Sequence, residues 1–224
     1  MSRQYGETWV YESLVSGIPG LEVPRTLAVA IQFVIFQAGV LLLGWYYGLW
    51  NAVIAGTAAV VVAAIGSVEM HRLGEKNRLL STPAAHKRLL FGSSIEIVLG
   101  VLAFIALVTY LFVWDGALLE RLFGSDPPIP VVYLTLLILW DLTYRIGTSW
   151  WSAVVALWRA VHVDLSPADA ASVRRLDAEN IGFSVLQLGL VPFLLAEPIL
   201  LGAVVGHVLA VAIVCSAAIL LTRT

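Results

Sequence analysis

Long apolar runs alternate with short polar segments along the chain, and these runs set the predicted architecture. A helix needs about 20 apolar residues to cross the roughly 30 Å hydrocarbon core of a bilayer. Six runs approach or exceed this length, and we predict transmembrane helices over about residues 25–48, 51–68, 94–114, 130–161, 181–196 and 199–221. Pro198 separates the last two runs, because proline disfavours helix at the residue before it. One bent, re-entrant segment is the alternative for this region.

The connecting segments carry their own helix signals. Residues 5–16 mix aromatic and aliphatic side chains with two carboxylates, which predicts a short amphipathic helix on the inner membrane surface. Ser166 and Asp169 flank a proline at the first helical position, a pattern typical of a capped helix start. Arg175 and Glu179 then stand four residues apart, so they are expected to pair on one helix face.

Composition supports the membrane assignment and excludes several classes of protein. Apolar residues make up 60% of the 224 and charged residues only 12%, whereas a soluble domain carries about 25% charged residues. A net charge of −2 supplies no basic field for nucleic acid. Cys215 is the single cysteine, so an internal disulfide is excluded. The predicted fold is one all-α domain, residues 1–224, with six transmembrane helices.

The distribution of basic residues predicts the orientation. With the N-terminus inside, Arg121 is the single basic residue of the outer loops and Arg145 lies within the fourth span. The other 11 of the 13 lysines and arginines fall in inner segments, which is a strong positive-inside bias. Both termini are therefore expected on the cytoplasmic side of the plasma membrane. The basic inner segments suit anionic lipid headgroups as partners.

A polar stripe on the fourth span is the strongest functional candidate. Asp141 and Arg145 are four residues apart, so they share a helix face and can pair. Thr148, Ser152 and Arg159 continue that face. Asp141 lies about 15 Å deep at 1.5 Å per residue, near the middle of the bilayer. Ionisable groups at such depth are costly and usually face the interior of the bundle or water.

Other polar residues come to similar depths, and together they form a candidate path across the membrane. The path consists of Glu197, His207, Asp141, Arg145, Glu96, Gln32 and Gln187. Structural roles are the alternatives: the Asp141–Arg145 pair neutralises itself and orients one helix. In the structural alternative for His207, the imidazole hydrogen-bonds a neighbouring carbonyl or hydroxyl group. In that for Glu96, the carboxylate pairs with Arg88 or Arg72.

Catalytic, cofactor and metal signatures are absent from the sequence. It contains no phosphate-binding Gly-x-x-x-x-Gly-Lys-Ser/Thr loop, no His-Glu-x-x-His pair and no Gly-x-Ser-x-Gly elbow. No catalytic, cofactor-binding or metal-ligating residue is therefore assigned, and a protein other than an enzyme is favoured.

Three classes of function remain. A transporter or channel for a small solute, an ion or protons ranks first, a non-catalytic scaffold or accessory subunit second, and an intramembrane enzyme acting on a lipid or isoprenoid third. A water-filled cavity at Asp141 would favour transport, and a dry, packed interior would favour the scaffold. A lateral opening at the depth of His207 would favour the enzyme.

Three sequence blocks carry a family resemblance. They begin at Tyr5 (YGETWVYES), Phe91 (FGSSIEI) and Leu139 (LWDLTYRIGTSWW). These blocks resemble a group of uncharacterised haloarchaeal integral membrane proteins, and the likeness covers most of the chain. The resemblance implies a multi-pass membrane protein and no particular activity, so it assigns no functional residue.

Overall fold

The computed structural model describes Trp9 and residues 25–223, with the side chains of Trp9 and of residues 27–223. Apart from Trp9, the amphipathic helix predicted over residues 5–16 lies outside the described residues. Helices are the only regular elements in the described part of the chain. They are α1 (Arg25–Tyr47), α2 (Trp50–Leu79), α3 (Ala84–Phe91), α4 (Ile95–Thr109), α5 (Ala117–Phe123), α6 (Ile129–His162), α7 (Pro167–Leu186), α8 (Val191–Leu194) and α9 (Pro198–Leu221).

Five helical stretches are long and apolar enough to cross a membrane. They are Leu27–Tyr47, Trp50–Leu79, Ala84–Trp114, Ile129–His162 and Pro198–Leu221. The third joins α3 and α4 and ends in the π-helical turn Tyr110–Trp114. The chain thus has the composition and helix content of a multi-pass membrane protein.

The continuous helix expected over residues 181–196 is wrong. This segment contains the end of α7, a 3₁₀ turn at Gln187–Leu190 and the four-residue α8. Pro192 explains the break, because it lacks the N–H that an α-helix would direct at the carbonyl four residues earlier. The segment is apolar enough to be predicted as a span, but its α-helix is interrupted by the 3₁₀ turn.

Glycines set the closest contacts between helices. A two-residue turn joins α1 to α2, and Gly48 adopts a left-handed φ of 72° there. Where α4 crosses α6, a Cβ on Gly147 would lie 2.8 Å from the Gly100 backbone nitrogen. This backbone contact fits the packing of membrane helices, in which small residues let two helices approach closely.

Helix α6 lies at the centre of the bundle and contacts α2, α4, α7 and α9. Helix α7 packs along α9 with its start at the end of α9, where Arg174 Nη2 donates to the Thr222 carbonyl at 3.0 Å. Leu165 N donates to the Arg223 carbonyl at 3.3 Å close by. We call this the basic end of the bundle; it also holds α3 and the end of α2.

Tryptophans behave differently at the two ends. Trp45, Trp50 and Trp114 are strongly exposed at the end opposite the basic one, as expected for an aromatic belt at a membrane surface. Trp9 is fully buried, its Nε1 donates to the Leu90 carbonyl at 3.2 Å, and its ring meets Phe91 edge-on. Trp9 is therefore a core residue rather than an exposed anchor at the membrane surface.

Candidate functional site

A large apolar cavity lies within the bundle, in the half away from the basic end. Its volume is about 450 Å³, and its walls come from α1, α2, α4, α5, α6, α9 and the segment that joins α7 to α9. Nearly all of its surface is aliphatic or aromatic. Among the described residues, no Asp, Glu, Lys or Arg side chain lines it.

Gln187 is the most unusual residue in the wall. It belongs to the 3₁₀ turn, its side chain is fully buried, and in the described part of the chain neither its Oε1 nor its Nε2 has a hydrogen-bond partner. An amide buried without partners carries a desolvation cost of about 1–3 kcal/mol for each polar group. The amide of Gln187 therefore brings one hydrogen-bond donor, Nε2, and one acceptor, Oε1, to the wall of an apolar cavity.

His207 on α9 lines the same cavity. Its Nε2 is buried and has no hydrogen-bond partner among the described residues. Thr143 also reaches the wall, but its hydroxyl donates to the Leu139 carbonyl at 2.9 Å. Gln187 and His207 thus supply the open hydrogen-bonding positions of this cavity.

Helix α5 covers one end of the cavity with apolar side chains. Leu118, Leu122 and Phe123 lie in its wall. Arg121 on the same short helix donates to Glu197 Oε1 at 2.7 Å, and Tyr110 Oη donates to Glu197 Oε2 at 3.0 Å. Glu197, 1% exposed, therefore fastens α5 and the π turn to the start of α9.

The cavity is open on one flank. Ala106 of α4 and Ile199 and Ala203 of α9 line it, and all three residues are exposed. The opening therefore lies between α4 and α9, one helical turn from His207. The position of the opening corresponds to the depth of His207, where a lateral opening is expected for an intramembrane enzyme that acts on a lipid or isoprenoid.

Asp141 and Arg145 form the predicted intrahelical pair. Arg145 Nε donates to Asp141 Oδ2 at 3.2 Å, and Nη2 donates to Oδ1. Both residues are buried, as are Thr148 and Arg159 of the same stripe. The polar stripe therefore faces the interior of the bundle, and the Asp141–Arg145 pair is surrounded by protein atoms.

The residues of the candidate path do not form one connected chain. Asp141 and Gln32 line a void of only about 10 Å³, whereas Gln187 and His207 line the large cavity and Glu197 binds Arg121. Glu96 is fully buried, and its carboxylate oxygens have no hydrogen-bond partner among the described residues, so the expected pairing with Arg88 or Arg72 is not formed there. Arg72 Nη2 instead bonds Glu179 Oε1 at 2.6 Å.

Sequence reasoning missed a second polar cluster, at the basic end. Arg159 Nη2 bonds Asp177 Oδ2 at 2.6 Å, and Ser149 Oγ donates to Asn180 Oδ1 at 2.7 Å. The spacing of Asp177, Asn180 and Ser184 on one face of α7 was the available signal. The cluster joins α6 to α7.

Comparison with known proteins gives a family without an activity. A family described as a family of unknown function (DUF7530) matches residues 4–218. No curated protein and no solved structure matches the chain.

Proposed function

The chain belongs to this family of unknown function. From the geometry of the bundle, we propose that the protein binds a lipophilic small molecule inside the membrane. The cavity beside Gln187 carries the proposal. Its volume of about 450 Å³ lies within the usual range for small-molecule sites, which are mostly apolar and contain a few placed polar groups.

The flank opening between α4 and α9 supports entry from the bilayer. The helices on both sides of the opening belong to stretches that are long and apolar enough to cross a membrane, Ala84–Trp114 and Pro198–Leu221. This supports an opening beside hydrocarbon, where a lipophilic molecule is already concentrated. The other end of the cavity is covered by α5, which the Arg121–Glu197 bond holds in place. A ligand would therefore exchange with lipid rather than with water.

The proposal includes a topology of six crossings with both termini cytoplasmic. Glu197 at the start of α9 contacts Arg121 at the opposite end, while Arg174 of α7 contacts Thr222 at the basic end. The interrupted segment 167–194 then carries the chain from one end to the other. The 11-to-1 bias of basic residues supports this orientation, a plasma-membrane location and contact with anionic lipids. A haloarchaeal source belongs to the same proposal.

Transport of an ion, a proton or a small solute along the polar path stays a prediction. Asp141 and Arg145 neutralise each other, and the void beside Asp141 is about 10 Å³. The cavity of useful size lies elsewhere, at Gln187 and His207. Binding of a lipophile uses the features that the structure brings together, so it replaces transport as the favoured function.

Photolabelling tests the proposal. Proteoliposomes of phosphatidylcholine and phosphatidylglycerol are loaded with 1-hexadecanol that carries a mid-chain diazirine, irradiated, and mapped by peptide mass spectrometry. We expect saturable labelling at cavity residues such as Leu139 and Phe193, because the probe occupies a defined site there. Lipid-facing Val34 and Leu102 should label without saturation.

A matched pair of variants controls this experiment. Ala203→Phe places a ring in the cavity and should lower the saturable label at least fivefold. Ala38→Phe makes the same change on an exposed face of α1 outside the cavity and should leave labelling unchanged. Equal, non-saturable labelling of cavity and lipid-facing residues in all three proteins would contradict the proposal.

A further inference from the structure

We infer that the cavity selects a neutral lipophile whose polar head both donates and accepts hydrogen bonds, as the hydroxyl group of a fatty or isoprenoid alcohol does. This inference rests on the proposed function and assigns the chemical class of the ligand. Three features carry it: the absence of charge in the described wall, the amide of Gln187, which has no partner among the described residues, and the Nε2 of His207 in the same wall.

The charge distribution excludes an ionised head. Among the described residues, the wall contains no lysine or arginine to neutralise a carboxylate, sulfate or phosphate. Arg121 is committed to Glu197 and Arg145 to Asp141. A charge moved from water into an apolar site without a partner costs far more than a neutral polar group. Fatty acids and phospholipid headgroups are therefore poor candidates for this space.

The amide of Gln187 favours a head with two hydrogen-bonding roles. Its Nε2 needs an acceptor and its Oε1 needs a donor. A hydroxyl group supplies both, whereas an ether or a ketone supplies only an acceptor and leaves Oε1 unsatisfied. A pure hydrocarbon satisfies neither atom, so the burial cost of the amide would remain.

His207 adds a third position that adapts to the ligand. The neutral imidazole carries one donor nitrogen and one acceptor nitrogen, and the tautomer decides which role Nε2 takes. Gln187 and His207 come from different elements, the 3₁₀ turn and α9, that meet at the cavity. A hydroxyl group bonded at either position would place its chain in the aliphatic remainder of the cavity.

Competition against the photoreactive hexadecanol tests the head group. Four unlabelled 16-carbon competitors differ only at the head: 1-hexadecanol, 1-methoxyhexadecane, hexadecane and hexadecyl sulfate. We expect hexadecanol to displace the cavity label at a mole fraction at least tenfold lower than each of the others. The wild-type series alone decides the order, so no variant has to fold for the test to work.

A Gln187→Leu variant assigns the preference to the amide. It should retain displacement by hexadecane while hexadecanol loses most of its tenfold advantage, because the donor and acceptor are gone and the volume is similar. Displacement by hexadecyl sulfate or hexadecane as strong as that by hexadecanol in the wild type would overturn the inference and leave the proposed function intact. Absence of any saturable cavity label would refute the proposed function itself.

Discussion

Asp141 and Arg145 show how a charged pair is accommodated in the middle of an apolar helix. The two side chains make two hydrogen bonds within one turn, and α6 presents them to the interior of the bundle. Gly66 of α2 makes room for the pair, since a Cβ there would lie 2.8 Å from Arg145 Cδ. At the scale of the residue, the pair is a neutral unit built into a helix contact.

Removing one partner should therefore destabilise the protein more than removing both. Asp141→Asn or Arg145→Met alone leaves a polar group of the pair without its partner, whereas the double variant removes both charges. We expect a coupling of about 1–2 kcal/mol, the order found between polar groups in membrane helices. Thermal unfolding in detergent, followed by tryptophan fluorescence, measures it.

Arg175→Met is the matched control for this cycle. Arg175 also pairs at a spacing of four, with Glu179 at 3.3 Å, but its side chain is 74% exposed. Exposed pairs contribute about 0–1 kcal/mol, so little change in melting temperature is expected. If the destabilisation of the double variant equals the sum of the two single effects, the buried pair is not coupled.

The crossing of α4 and α6 depends on two glycines. Gly147 meets the backbone of Gly100, and Gly100 in turn would bring a Cβ within 3.1 Å of the Tyr144 Cα. The neighbours on both sides are backbone atoms, which move only when a whole helix moves. At the scale of the element, this contact fixes the distance between α4 and α6, both of which form part of the cavity wall.

Gly147→Ala is expected to push α4 away from α6. Overpacking of a tight contact costs about 1–3 kcal/mol, and the melting temperature in detergent should fall accordingly. Gly206→Ala on α9 is the control, because a Cβ there meets nothing within 4 Å. Equal melting temperatures for the two variants would show that the α4–α6 contact tolerates an added methyl group.

At the scale of the whole molecule, polar groups are sorted by position along the bundle. Ion pairs collect at the basic end, where Arg72 and Lys76 meet Glu179 and Arg159 meets Asp177. Helices α2 and α6 have 30 and 34 residues, so at 1.5 Å per residue they extend beyond the hydrocarbon. The opposite half contains the apolar cavity. The molecule therefore has one end rich in ion pairs and one half with an apolar interior.

Cysteine accessibility tests the proposed topology. In a Cys215→Ser background, Glu120→Cys should react with an impermeant maleimide from outside, while Glu75→Cys and Ser172→Cys should react only after the membrane is permeabilised. All three positions are exposed, and Glu120 spares the neighbouring Arg121–Glu197 bond. The parent without cysteine controls for background. Reaction of position 75 from outside would contradict six crossings with the termini inside.

The sequence by itself determined the helical membrane class and several local features. Apolar runs of sufficient length specify the five membrane-length helices, since hydrocarbon leaves no other partner for the backbone. Spacing of four specified the Asp141–Arg145 and Arg175–Glu179 pairs, and Ser166 caps α7 through Asp169 N at 3.1 Å as its pattern predicted. These features depend on neighbours within one or two turns.

Only the tertiary structure decided which polar residues share a site. Depth along each helix grouped seven residues into one path, but rotation about the helix axes and the break before Pro192 separate them. Gln187 and His207 both line an apolar cavity. Glu197 pairs with Arg121, and Asp177 pairs with Arg159. Such contacts join residues distant in sequence, and their geometry follows from how whole helices pack rather than from any local pattern.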